Sequence, residues 1–337
     1  IIMHALFMSM GLGMRNYPLM LLFYGIRGLA YPLFIYSFML MLVQVLPRPN
    51  LAAATGWFWA MYSVGIGVVG SYLPSLTIPV FGETGTLWFA IVWVACGGLL
   101  AYFSLRNVPV DRSRVNLPLR DKMTELSRAG TILFTNRDIF YACLIRIINT
   151  LSLFGFAIVM PLLFVDRLGF SISEWLQIWA VFFFVTIFTN IFWGIAGEYI
   201  GWIRQVRWFG CLGMAISSLT FYYLPVYAGH NFAVALIPAV MLGIFVAAFV
   251  PMTAVFPTLE PHHKGAAVSI YNLSAGMSNF VAPAIASALL PFFDIVGVVW
   301  AYTGLYIFAG VLTFIIKVPQ PKRVPQNRAA KEVEQRV

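Results

Sequence analysis

The sequence predicts an all-α membrane protein, a bundle of helices that each cross a bilayer. Three observations predict it. Hydrophobic residues make up 61% of the 337 and charged residues only 10%, where a soluble domain is about 45–50% apolar and about 25% charged. Apolar side chains on that scale cannot all be hidden in one core, because surface grows too fast relative to volume. Most of the apolar stretches run for about twenty residues or more, the length of a helix across a bilayer, whereas an outer-membrane barrel needs alternating segments of about ten residues. Finally, the cations between the stretches fall overwhelmingly on one side, as membrane topology requires.

In chain order the apolar segments cover approximately 1–13, 18–46, 51–80, 85–105, 139–165, 174–197, 206–227, 231–257, 266–292 and 295–317. The only long polar stretch between them runs from Arg106 to Asp138 and carries Arg112, Arg114, Arg120, Lys122, Arg128 and Arg137. Residues 318–337 are polar, basic and proline-containing, the composition of a disordered tail. If the long basic stretch is cytoplasmic, so are Arg48, Arg204, Arg207, Lys264, Lys317 and the tail, which places 17 of the 21 cations on that side. Arg15 and Arg167 fall outside, and Arg27 and Arg146 fall within spans. The C-terminus is therefore expected in the cytoplasm, with the chain as a multi-pass protein of a bacterial inner membrane.

Four spans precede the basic stretch and six follow it. Two six-helix halves joined by a long cytoplasmic loop is the arrangement of the major facilitator fold, and the sequence resembles that arrangement with its first two helices missing. The segments are accordingly read as spans 3–12 of 12, in two pseudo-symmetric helical halves. Residues 1–105 are the remainder of the first half, 106–138 a cytoplasmic linker, 139–317 the second half and 318–337 the tail. The opening Ile1, inside an apolar run, agrees with that expectation.

Several function classes are disfavoured. The net charge of +9 lies in loops and tail, which is a topology signal and does not suggest nucleic acid. Cys96, Cys143 and Cys211 sit in separate apolar stretches, and His4, His230, His262 and His263 form no ligand pattern, so neither metal nor cofactor is expected. No paired acids or histidine cluster suggests a membrane enzyme, and no pore loop suggests a channel. A transport-inactive membrane sensor stays as an alternative. A monomer in the lipid bilayer is expected.

The loop after span 8 reads Gly194-Ile195-Ala196-Gly197-Glu198-Tyr199-Ile200-Gly201-Trp202-Ile203-Arg204. It resembles the major facilitator loop signature, with Glu198 where the acid is usually aspartate. Glycines allow a tight turn, and a carboxylate there can cap a helix or pair with Arg204. Contacts that form in one state and break in another bias the equilibrium between them, so Gly194, Glu198, Gly201 and Arg204 are candidate gating residues. The alternative is an ordinary basic loop.

Span 4 holds Arg27 deep in an apolar helix, flanked by Tyr24 at i−3 and Tyr31 at i+4. A charge there costs several kcal/mol unless it meets a cavity or a partner; snorkelling or locking of helices is the competing role. The run Gly25-Ile26-Arg27-Gly28-Leu29-Ala30-Tyr31-Pro32, followed by Gly56-Trp57-Phe58-Trp59, resembles the polyol permease family, which includes ribitol and D-arabinitol transporters. The resemblance implies import of a sugar alcohol, coupled to protons. It leaves the substrate open, because the same group includes possible α-ketoglutarate permeases, and other small metabolites such as sugars are alternatives.

In that fold spans 1, 4, 7 and 10 line the central cavity, so the resemblance also places Arg27 and Arg146 there. On span 7, Arg146, Asn149 and Thr150 share a face at i, i+3 and i+4. Arginine, asparagine and aromatic rings supply what an uncharged polyol needs. Span 11 adds Asn272, Gly276, Asn279 and Pro283 on one stripe, and span 8 adds Thr186, Asn190 and Trp193. For these, helix–helix hydrogen bonding competes with substrate contact. Trp57 is either a substrate platform or an interfacial belt residue. No aspartate or glutamate lies in the middle of any of the ten spans. A proton-linked carboxylate then lies in the missing span 1, or transport is uncoupled; the resemblance implies the first.

Overall fold

The computed structural model describes residues 2–28, 34, 38, 41, 58, 61–106 and 130–318. Every regular element among the described residues is helical. They fall into two compact units, residues 1–118 and 119–337.

In the first unit, α1 (Ile2–Gly13) and α2 (Tyr17–Gly28) are joined by a short turn with Arg15 at φ 52°. His4 meets Arg27, Phe7 meets Tyr24 and Gly11 meets Met20. One partner number rises as the other falls, so the pair is antiparallel. Gly11 permits the approach, since a Cβ there would come within 2.9 Å of the Met20 backbone. The apolar run Met61–Leu105 is 45 residues long. Straight, it would span about 67 Å, twice the roughly 30 Å of a bilayer core. It breaks at Gly82, whose φ of 69° and ψ of 174° only a residue without Cβ adopts cheaply. The break divides it into α3 (61–81) and α4 (83–105), close to the expected boundary between spans 5 and 6.

The second unit begins before the sequence suggests. Residues 130–135 are already helical, and Asn136 caps α5 (Arg137–Arg167) by accepting from the amides of Asp138 and Ile139 at 3.1 and 3.3 Å. An asparagine side chain at this position satisfies amides that the first helical turn leaves unpaired. Ser171 and Glu174 form a reciprocal capping box on α6 (Ile172–Ile200). Gly201, at φ 94°, turns the chain at once into α7 (Trp202–Ala228), and Asn231 caps α8 (Phe232–Leu259). The last 52 helical residues, Lys264–Ile315, break only at Asp294, giving α9 (264–293) and α10 (295–315).

Packing follows residue size. Phe221 on α7 is fully buried and meets Phe156 and Phe164 of α5 and Trp175 and Trp179 of α6, with ring centroids 5.6–6.4 Å apart. α6 and α8 approach at Gly243, where a Cβ would come within 2.7 Å of the Phe182 carbonyl. The opposite face of α6 presents Phe184, Phe188, Ile191, Phe192 and Ile195, each more than half exposed. These lie at helical spacing on one stripe, an apolar surface suited to lipid rather than water. Among the described residues, six apolar helical runs are long enough to cross a bilayer, two of them divided by the breaks at Gly82 and Asp294. The chain is a multi-pass membrane protein.

Candidate functional site

The centre of the second unit is a break in α5. At Thr150 the backbone leaves the helix, with φ −106° and ψ 19°, although neither proline nor glycine stands there. Tyr306 of α10 holds the break: its hydroxyl donates to the Asn149 carbonyl at 3.1 Å and accepts from the Ser152 amide at 3.1 Å. Broken helices survive inside membranes where a neighbouring helix satisfies the freed backbone groups. Ser152 also pairs with Ser218 of α7 at 2.8 Å, and Tyr302 packs on Gly155, where a Cβ would overlap its ring. From the other side, Ser274 and Ser278 of α9 donate to Cys143 Sγ at 2.9 Å and the Ile147 carbonyl at 2.7 Å.

Arg146, Asn149 and Thr150 stand on the face of α5 at this break. The guanidinium of Arg146 lies 4.9 Å over the ring of Tyr271, which in turn meets Phe256 edge-on. Arg146 Nε and Nη1, Asn149 Oδ1 and Thr150 Oγ1 are buried without a hydrogen-bond partner among the described residues. A snorkelling arginine keeps its nitrogens in water; two nitrogens here are covered, which argues against that role. Leaving such groups unpaired costs on the order of 1–3 kcal/mol each, more where charge is involved. The arrangement presents donors, acceptors and an aromatic face that no described residue satisfies.

In the first unit Arg27 lies between rings, 5.4 Å from the centroid of Phe7 and 5.0 Å from that of Tyr24. Its Nη1 is 2.6 Å from Nδ1 of His4. The Tyr24 contact follows the expected i−3 spacing. The His4 contact does not follow from the sequence, where a single histidine 23 residues away gives no periodic signal. Tyr31 and Trp57 lie outside the described residues.

On α9, Asn272 and Asn279 are exposed, and the buried polar side chains of that helix are Ser274 and Ser278. On α6, Trp193 donates to the Ile244 carbonyl at 2.7 Å, and Thr189 to that of Gly243 at 2.9 Å. These bonds join two helices. At the end of α6, Gly201 makes the turn, whereas Gly194 has open space around it. The tight glycine is Gly197, against Gln205 and Pro251. Glu198 and Arg204 are both exposed and share a cavity of about 560 Å³ with Arg207 and Lys317. No ion pair joins them among the described residues. Arg207 instead ties α7 to the end of α10, donating to Thr313 Oγ1 and O at 2.8 and 2.9 Å.

Comparison with known proteins adds the following. The family model of the Major Facilitator Superfamily matches residues 142–336. The ribitol transporter of Klebsiella pneumoniae is 62% identical over 320 residues, which cover 95% of this chain and 75% of that protein. The D-arabinitol transporter of the same organism is 61% identical over 331 residues, 98% of this chain and 78% of that protein. The alpha-ketoglutarate permease of Bacillus subtilis (strain 168) is 40% identical over 316 residues, 94% and 72% respectively.

Proposed function

The chain belongs to the major facilitator superfamily, and from that premise we propose that it imports a small polyol of the ribitol or D-arabinitol kind. It is a secondary active transporter working by alternating access and coupled to protons. Identities of 62% and 61% to a ribitol and a D-arabinitol transporter support the substrate class. The observation that carries the reading is the set of buried unpaired atoms on Arg146, Asn149 and Thr150 beside Tyr271. A polyol brings hydroxyls that both donate and accept, so it can meet the arginine donors and the asparagine and threonine oxygens together. Its C–H faces suit the rings.

The described helices correspond in this reading to part of spans 3–12 of a twelve-span, two-halved transporter of the inner membrane, acting as a monomer with its C-terminus in the cytoplasm. Arg27 with Tyr24 is a second substrate-binding element, and Tyr31, Trp57, Asn272 and Asn279 remain candidates. Glu198 and Arg204, unpaired here, are the partners of a cytoplasmic gate that closes in another state. The test is uptake of labelled ribitol and D-arabinitol by cells without polyol permeases of their own, with and without a proton gradient. An unpaired guanidinium also suits a carboxylate, and one relative is named for α-ketoglutarate, so that compound is the competitor to include. Uptake of α-ketoglutarate with neither polyol transported would overturn the polyol reading.

A further inference from the structure

Arg27 is held by an imidazole, and the way it is held fixes the state of that ring. Nη1 of Arg27 lies 2.6 Å from His4 Nδ1, and His4 Nε2 lies 3.2 Å from the Leu87 carbonyl oxygen of α4. A guanidinium has only N–H groups to offer, and a carbonyl only lone pairs. The ring between them must therefore accept at Nδ1 and donate at Nε2. His4 is neutral in this arrangement. A proton arriving at Nδ1 would occupy the lone pair that Arg27 uses, so protonation and the Arg27 contact exclude each other. Imidazole is the side chain that changes charge near neutral pH.

We propose that His4 is the positioning residue through which a proton controls Arg27, an inference that rests on the proton-coupled polyol transport argued above. With His4 neutral, the guanidinium is tethered beside Phe7 and Tyr24. When a proton from water adds to Nδ1, Nε2–H stays on the Leu87 carbonyl and no other bond of the ring changes. Arg27 then loses its acceptor and faces a second cation, and its N–H groups turn to substrate hydroxyls. Among the described residues, Arg27 meets His4 from α2, and its own helix brings Phe7, stacked at 6.2 Å. On α4, Glu83 stands one turn before Leu87, exposed and without an ion pair among the described residues. No acid among the described residues therefore competes for the ring. By linkage, a substrate that draws Arg27 away leaves Nδ1 open to a proton, so the two ligands favour each other's binding. That is the thermodynamic form of symport. It needs no carboxylate among the described residues.

Two variants separate the states. In His4→Asn the amide oxygen takes the place of Nδ1, accepts from Arg27 and never titrates. In His4→Ala no acceptor remains. Ribitol binding to the intact transporter, measured from about pH 5.5 to about pH 8, should strengthen in the wild type as pH falls, by up to about tenfold per unit. His4→Asn should stay at the weak, high-pH plateau throughout, and His4→Ala at the tight, low-pH plateau. A His4→Asn protein that keeps the wild-type pH dependence overturns the proposal. A second readout needs no substrate: nitrogen-15 NMR of the His4 ring should show coupling to the Arg27 guanidinium vanishing in the same step in which Nδ1 gains its proton. Coupling that persists through that step also overturns the proposal. Loss of coupling in a protein that binds no polyol leaves the His4 switch standing and removes only the polyol reading.

Discussion

Replacing Tyr306 by phenylalanine removes a single oxygen from the middle of the second unit. That oxygen serves two backbone groups on either side of the break in α5, the Asn149 carbonyl and the Ser152 amide, each at 3.1 Å. The residue is fully buried, so water does not replace it. Side-chain hydrogen bonds inside membrane bundles average about 0.6 kcal/mol and reach about 1.7 kcal/mol, which brackets the loss of two between about 1.2 and about 3.4 kcal/mol. Tyr302→Phe is the internal control. Its hydroxyl donates at 2.7 Å to the Ala282 carbonyl, which lies in the body of α9, where a helical amide also serves it. One bond to an already satisfied group predicts about 0.6 kcal/mol. The assay is equilibrium unfolding in mixed detergent micelles, with polyol affinity measured on the folded variants. Tyr306→Phe should lose at least twice the stability of Tyr302→Phe and bind polyol more weakly, because Asn149 and Thr150 are aimed by the break. Equal losses for the two variants would refute the idea that Tyr306 holds it.

Arg27→Lys should abolish polyol uptake at normal folded expression, since lysine keeps the charge but loses the plane that lies between Phe7 and Tyr24; near-normal uptake would remove Arg27 from the site. Glu198→Gln should move the balance of conformational states by about 1–2 kcal/mol while leaving intrinsic affinity unchanged, and unaltered state-dependent cysteine labelling would reduce Glu198 to a topology marker. Cysteines introduced in 106–138 or 317–337 should resist an impermeant reagent in right-side-out vesicles, and labelling of either segment would reverse the assigned orientation. Asp294→Gly should keep or raise stability: the Arg167 pair is 47% exposed on both sides and worth at most about 1 kcal/mol, whereas aspartate at φ 58°, ψ −172° costs about 1–3 kcal/mol. A loss above about 1 kcal/mol would contradict that balance.

The bilayer made the fold readable. A hydrocarbon core sets one length for every span, so the apolar run 139–165 anticipated α5 to within two residues at each end. Gly82 stood in the gap between two runs and proved to be the break there. What the sequence hides is whatever depends on a distant partner. The break at Thr150 has no local breaker, and its support comes from Tyr306, more than 150 residues away in sequence. His4 looked inert because its role is defined by Arg27 and by a carbonyl of α4. On α9 the large amides drew attention, yet the serines between them carry the buried bonds. A serine is too small and too common to stand out, although its hydroxyl can reach a carbonyl across a close helix contact. Arg146 and Asn149 could be found because i, i+3 spacing is local.

Only Asp294 separates α9 from α10, and Arg167 clamps it to the end of α5 through two hydrogen bonds of 2.6 Å. One residue leaves little chain between them. The two helices therefore act as a single crank. One arm grips α5 through Ser274 and Ser278, and the other grips it through Tyr302 and Tyr306. Torque applied at the Lys264 end of the crank would reach the kink between Asn149 and Ser152. In the proposed transport cycle, a rotation that begins at one membrane face would therefore end as a change in the aim of Asn149 and Thr150.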